Sequence, residues 1–224
     1  MDVGCGVLGI LHLLCDRVGA AGRVVGLGLE PRLPARASEL AAERGCTVET
    51  VESDAASTGL PEGSFDLVHA RALLLNPTEP ERAVAEMARL TRPGGTVALQ
   101  EPDARAVACD PQHPAFERLR AEIVAVYPRT GRDFEIGRRT GRLLRDAGLR
   151  DVEARPTARV THAGDSYHTF GLTPCALLRE PLLGGAGRTA DELDDHVAQV
   201  ADHLGAPGTI TCQPLLWQAW GTRP

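Results

Sequence analysis

Strand-like and helix-like segments alternate through the first half of this chain, and that rhythm decides what it can fold into. Residues 9–18 place Ile10, Leu11, Leu13 and Leu14 on one side of a helix. Residues 23–29 are a short apolar run of the kind a buried parallel strand requires. Residues 31–44 read as a helix, with proline tolerated in its first turn and Gly45 at its end. Strands follow at 47–52 and 64–70, an amphipathic helix at 79–90, and a strand at 96–100 after the Arg92-Pro93-Gly94-Gly95 stop. Parallel strands need crossover connections, so this order predicts a mostly parallel sheet with helices on both faces.

The second half reads as helices over 116–126 and 136–147, with Gly148 as the C-cap, then a strand over 152–160. An acidic helix covers 189–204, its Asp191 to Asp195 stretch favoured by the dipole at a helix start. A strand-like segment over 210–220 is interrupted by Pro214. No repeat or low-complexity linker divides the 224 residues, so one domain over 1–224 is expected.

Composition removes several chemistries. All 24 basic residues are arginine. Without lysine there is no P-loop lysine, no pyridoxal Schiff base and no Tyr-x-x-x-Lys pair. The net charge of −6, with arginines scattered among acids, argues against a nucleic-acid partner. No apolar run approaches the ~20 residues that cross a bilayer. The six cysteines form no C-x-x-C, and no His/Cys cluster has zinc spacing. They are expected to be free thiols in a reducing cytoplasm.

The chain opens with Asp2-Val3-Gly4-Cys5-Gly6-Val7-Leu8-Gly9, and Gly4, Gly6 and Gly9 fit G-x-G-x-x-G. Such glycines permit a tight strand-to-helix turn and let a ligand approach the backbone. A Gly-rich turn without a ligand satisfies the same pattern. Asp2 adds information, because a pyrophosphate wants no acid nearby whereas an ammonium group welcomes one.

This D-x-G-x-G opening resembles motif I of the class I S-adenosylmethionine (SAM)-dependent methyltransferases. Four later segments match in order: Asp54-Ala55, the run Gly63 to Arg71, Leu90-Thr91-Arg92-Pro93-Gly94-Gly95-Thr96, and Ile136 through Leu149. The resemblance implies an α/β, Rossmann-like, mostly parallel seven-stranded sheet with an antiparallel strand seven. It implies methyl transfer from SAM to a small organic acceptor, as in quinone-biosynthesis and natural-product methyltransferases. Residues 161–207 would then cap the substrate side. By the same resemblance, the backbone at Gly4, Cys5 and Gly6 would pass the methionine moiety, with Asp2 near its amino group. Asp54 would accept from the adenine amino group beside Ala55, and His69 would line the sulfonium side.

Two departures stand out. The family's ribose-binding acid at the end of strand two aligns with Gly28; Glu30 would replace it if the strand persists, and is otherwise a solvent-facing helix-start residue. Only Met1 precedes Asp2, so the first strand is expected to be largely missing, as in a chain truncated at its N-terminus. Candidates for acid–base work at the strand mouths are His69, Arg71 and Glu101, each of which could equally be structural. Rival readings are a nicotinamide-dependent oxidoreductase and a non-catalytic SAM-fold protein that binds a partner. Neither the acceptor nor the oligomeric state, a homodimer included, is decided by the sequence.

Overall fold

The computed structural model describes every residue except 8, 20, 31, 77, 78 and 166. The alternation becomes β1 (Asp2–Val3), α1 (Leu11–Val18), β2 (Val24–Gly28), α2 (Arg32–Ala42), β3 (Val48–Glu52), β4 (Phe65–Arg71), α3 (Pro80–Leu90) and β5 (Thr91–Asp103). The second half adds β6 (Ala108–Asp110), α4 (Pro114–Val126), α5 (Thr140–Asp146), β7 (Arg150–Thr157), β8 (Val160–His162), α6 (Thr173–Leu177), α7 (Arg179–Ala186), α8 (Ala190–Gly205), β9 (Ile210–Cys212) and β10 (Leu215–Thr222).

Seven strands form one sheet in the order β3-β2-β1-β4-β5-β10-β7. Strands β3 to β5 pair in parallel, and β10 runs antiparallel to both β5 and β7. This is the Rossmann-like sheet expected, with its antiparallel strand in place. The first strand is short but present. Asp2 pairs with Gly26 on one side and His69 on the other, so two residues hold the centre of the sheet.

Three local readings change. The strand expected at 96–100 runs from Thr91 to Asp103, because Arg92 to Gly95 loop out as a bulge between the Phe65–Thr91 and Leu67–Thr96 pairs rather than ending it. The run read as one strand over 152–160 divides into β7 and β8, and Pro214 likewise divides β9 from β10. Strands β6, β9 and β8 then make a separate three-stranded antiparallel sheet. Proline lacks the N–H that a continuous ladder would need.

Side-chain alternation gives each sheet face its own core. Val3, Leu27, Val68, Ala70, Val97 and Leu99 pack with α3 and α5 on one face. Cys5, Val24 and Val48 pack with Leu11 of α1 and with Ala37 and Ala41 of α2 on the other. A third cluster joins α4 to α6, α7 and α8, so residues 161–207 have an apolar core of their own with α4. Within it α8 starts at a capping box, Thr189 accepting from the Glu192 N–H and Glu192 accepting from the Thr189 N–H.

The expectation of six free thiols is corrected. Cys15 on α1 and Cys46 after α2 form a disulfide, with Cα atoms 6.0 Å apart, while Cys5, Cys109, Cys175 and Cys212 remain free. The pairing comes from α1 packing beside α2, a tertiary contact that cysteine spacing does not encode. Among the described residues no helix is long and apolar enough to cross a membrane.

Candidate cofactor site

The turn after β1 is built on glycine. Gly4, Gly6 and Gly9 have φ of 71°, 58° and 48°, a region other residues enter at a cost. Space adds to torsion most at Gly9, where the close atom is backbone, whereas at Gly4 it is the movable end of a side chain. A Cβ on Gly4 would lie 2.7 Å from Leu73 Cδ1, and one on Gly9 would lie 2.7 Å from the Cys5 carbonyl and 2.8 Å from Asp2 Oδ2. The Gly4 and Cys5 N–H groups both donate to the Leu27 carbonyl, at 2.8 and 3.0 Å, which ties the turn to β2.

A cavity of about 610 Å3 opens beside this turn, at the C-terminal ends of β1 to β4. Open α/β sheets bind ligands at that edge. Gly4, Gly28, Leu29 and Leu73 wall it, and Ser53, Asp54, Ala55, Asn76, Glu79 and Arg82 add polar and small groups. Asp54 Oδ1 accepts from the Ala56 N–H at 2.8 Å, which fixes the carboxylate at the rim next to Ala55. Glu79 and Arg82 pair at 2.6 Å across the first turn of α3.

Of the residues expected to bind a cofactor, Gly4, Asp54 and Ala55 lie on this wall. Glu30 does not. The strand ends at Gly28, so the alternation that would have aimed Glu30 inward stops, and Glu30 is exposed in a bend. Cys5 is buried behind the turn, its thiol donating to the Gly6 carbonyl, and burial raises its pKa to about 11. Gly6 shapes the turn without lining the cavity. Glu79 and Arg82 were missed; a Glu-Pro-x-Arg start on an amphipathic helix reads from sequence only as a well-capped N-terminus.

Asp2 and His69 meet under the turn. The Asp2 side chain is 3% exposed, and its Oδ1 lies 2.8 Å from His69 Nδ1. With Nδ1–H donating to that carboxylate, Nε2 is left as the free ring nitrogen. His69 is off the cavity wall, however, and so are Arg71, which is exposed at the end of β4, and Glu101. Glu101 is completely buried. Its Oε1 accepts from the Leu73 and Leu74 N–H groups, each at 2.9 Å, and its Oε2 has no partner. Desolvation raises its pKa to about 7 against the lowering effect of those amides. Glu101 therefore positions the β4 exit that carries Leu73 and Asn76 to the cavity.

The groups present fit an adenosine-bearing ligand. There is a carboxylate at the rim, an apolar slot at Leu27, Leu29 and Ala55, and a glycine cradle that a Cβ would close. Sheet order, glycine turn and cavity together define a nucleotide-cofactor domain of Rossmann-like class. Residues 1–99 match the methyltransferase domain family. Over these residues the chain is similar to SAM-dependent methyltransferases. It is 45% identical over 105 residues to nocamycin O-methyltransferase of Saccharothrix syringae, covering 46% of this chain and 37% of that one. It is 32% identical over 149 residues to an uncharacterised 37.1 kDa transposon protein of Streptomyces fradiae, covering 66% and 42% respectively. The chain thus spans less than half the length of these relatives. Its fold is shared with phosphoethanolamine N-methyltransferase 2 of Haemonchus contortus, solved with phosphomonomethylethanolamine and S-adenosylhomocysteine. The TM-score is 0.59 at 16% identity, over all of this chain and 48% of that one.

Proposed function

We propose that this protein transfers a methyl group from SAM to a small organic acceptor. The observation that carries the reading is the cavity at the ends of β1 to β4, where the glycine turn, Asp54 and Ala55 converge. When bound, SAM would supply an electrophilic methyl group for transfer to an acceptor lone pair.

This chain's own part is binding and alignment. Asp54 would accept from the adenine amino group with Ala55 against the ring, and the Gly4 turn would pass the methionine end. Glu79 is the carboxylate on the opposite wall that stands where β2 offers only Gly28. Positioning of a reactive pair accounts for much of a transfer rate, so a side-chain base is not required for a nucleophilic acceptor. Asp2 orients His69 below the turn, and Glu101 holds the β4 exit.

Calorimetric titration with SAM and with S-adenosylhomocysteine tests the reading. Micromolar binding of both is expected, with Asp54→Ala weakening both at least tenfold and His69→Gln changing either by less than threefold. Absence of binding to the wild-type chain would overturn it.

A further inference from the structure

The fold treats the two acids of β5 differently. Asp103 is buried but paired, its two oxygens accepting from Arg138 at 2.7 Å each. Glu101 is buried as deeply, and among the described residues its Oε2 has no partner and its carboxyl no cation. A carboxyl in that state is held neutral unless a positive charge reaches it from outside the chain.

The charges on the elements around Glu101 are committed or averted. The turn Ile136–Arg139 packs on β5 and carries Arg138, held by Asp103, and Arg139, held by Asp133 at 2.8 Å and Glu81 at 3.2 Å. Helices α3 and α5 bury apolar residues such as Val84, Met87, Leu143 and Leu144 against the sheet. Strand β10 sets the uncharged Trp217 opposite Glu101. On β4, His69 and Arg71 pair in register with Ala98 and Gln100, so they share the sheet face that Glu101 does not, and Asp2 meets His69 there.

Glu101 nevertheless stands directly behind the cofactor cavity. Its Oε1 accepts from the Leu73 N–H at 2.9 Å, and Leu73 walls the cavity. The Leu73 side chain lies against Gly4, where an added Cβ would come within 2.7 Å of Leu73 Cδ1. One residue thus separates the carboxyl from the turn along which the methionine end of SAM would lie. The ammonium and carboxylate of that end cancel, so the sulfonium is the charge left over, and S-adenosylhomocysteine lacks it. A cation one side chain away from a desolvated carboxyl favours its ionised form. Burial outweighs the amide bonds to Glu101 and brings its pKa to about 7, so its proton is exchangeable near neutrality.

We infer that Glu101 lets the site tell methyl donor from spent product: it releases its proton when SAM binds and keeps it when S-adenosylhomocysteine binds. The inference rests on the cofactor reading above. The proton passes to solvent, and the carboxylate left behind balances the sulfonium. After transfer the sulfur is neutral, the carboxylate regains a proton, and the hold on the product loosens. Glu101 acts through the Leu73 wall and touches no reacting atom, so it is a positioning residue.

The test is calorimetric titration of the whole chain with SAM and with S-adenosylhomocysteine. Running it at pH 6.5 in two buffers of different ionisation enthalpy counts the protons released. SAM is expected to release about half a proton more than S-adenosylhomocysteine. The ratio of SAM to S-adenosylhomocysteine affinity is expected to rise about fivefold between pH 5.5 and 7.5. Glu101→Gln keeps an acceptor for the amides but cannot titrate, so it should lose both effects and still bind S-adenosylhomocysteine. His69→Gln should keep both, which separates Glu101 from the other titrating group near the turn. If wild type binds both ligands with equal proton release, or if the excess survives Glu101→Gln, this inference falls and the cofactor reading stands. Should Glu101→Gln not fold, the pH series decides: an affinity ratio that is flat in wild type, or that turns flat in His69→Gln, overturns the inference. A wild-type chain that binds neither ligand overturns the cofactor reading, and the role of Glu101 with it.

Discussion

Single atoms decide much of this site. Gly6 and Gly9 belong to one motif, yet a Cβ on Gly6 meets nothing within 4 Å while one on Gly9 meets a backbone carbonyl and the Asp2 carboxylate. Both substitutions carry the torsional penalty of a left-handed residue, ~1 kcal/mol. Gly9→Ala adds a clash that cannot relax through a flexible side chain. Urea denaturation should show Gly9→Ala the more destabilising by at least ~1–2 kcal/mol, and equal midpoints would refute the steric argument. Glu101 makes a pH prediction. Its folded pKa of about 7 lies above the ordinary 4.5, so folding favours the protonated acid. Its contribution is best below about pH 4.5, declines as pH rises to about 7, and is flat above; the full decline is about 3 kcal/mol. Glu101→Gln keeps an oxygen for the Leu73 and Leu74 amides and removes the titration. The stability of the variant relative to wild type should rise between pH 5 and pH 8, as read by denaturant midpoints at each pH.

At the scale of elements, the disulfide matters most. It joins α1 to the segment between α2 and β3, with its cysteines 31 positions apart. Closing a loop of that size restricts the unfolded chain by roughly 3–4 kcal/mol in the chain-entropy model. Reduction with dithiothreitol, or the Cys15→Ser/Cys46→Ser double variant, should lower the melting temperature by several degrees. A melting curve indifferent to reductant would show that the two sulfurs are not joined in solution. Because α1 follows the glycine turn directly, the same reduction should also weaken SAM binding. Element boundaries teach a further lesson. Pro93-Gly94-Gly95 stops a strand in sequence logic, but β5 continues through it because β4 supplies pairing on both sides of the bulge.

For the molecule as a whole, cofactor binding should be legible in stability. A ligand at a hundred times its dissociation constant stabilises the folded state by ~2.7 kcal/mol. For a domain this size that corresponds to a rise of roughly 5–10 °C in melting temperature. Saturating SAM should produce this shift in wild type, and at the same concentration Asp54→Ala, binding at least tenfold more weakly, should show about half of it or less. The architecture gives the reason such coupling reaches the whole fold. The cofactor cavity touches β1 to β4 and α3, and the segment carrying Tyr127 and Phe134 connects it to the core shared by α4 and α8.

The sequence by itself determined the sheet class, the glycine turn and the carboxylate at position 54. Those depend on local pattern: apolar runs of strand length, glycines at fixed spacing, and an acid just past a strand. Tertiary structure decided the rest. Asp2 and Val3 take the centre of the sheet because β2 and β4 pair with them on either side. Glu30 leaves the site because β2 ends early, and Glu101 becomes a buried anchor because β5 runs past the β4 exit. The pairing of Cys15 with Cys46, and an apolar cavity between α4 and residues 171–177, arise from packing between segments far apart in sequence. No local pattern carries that information.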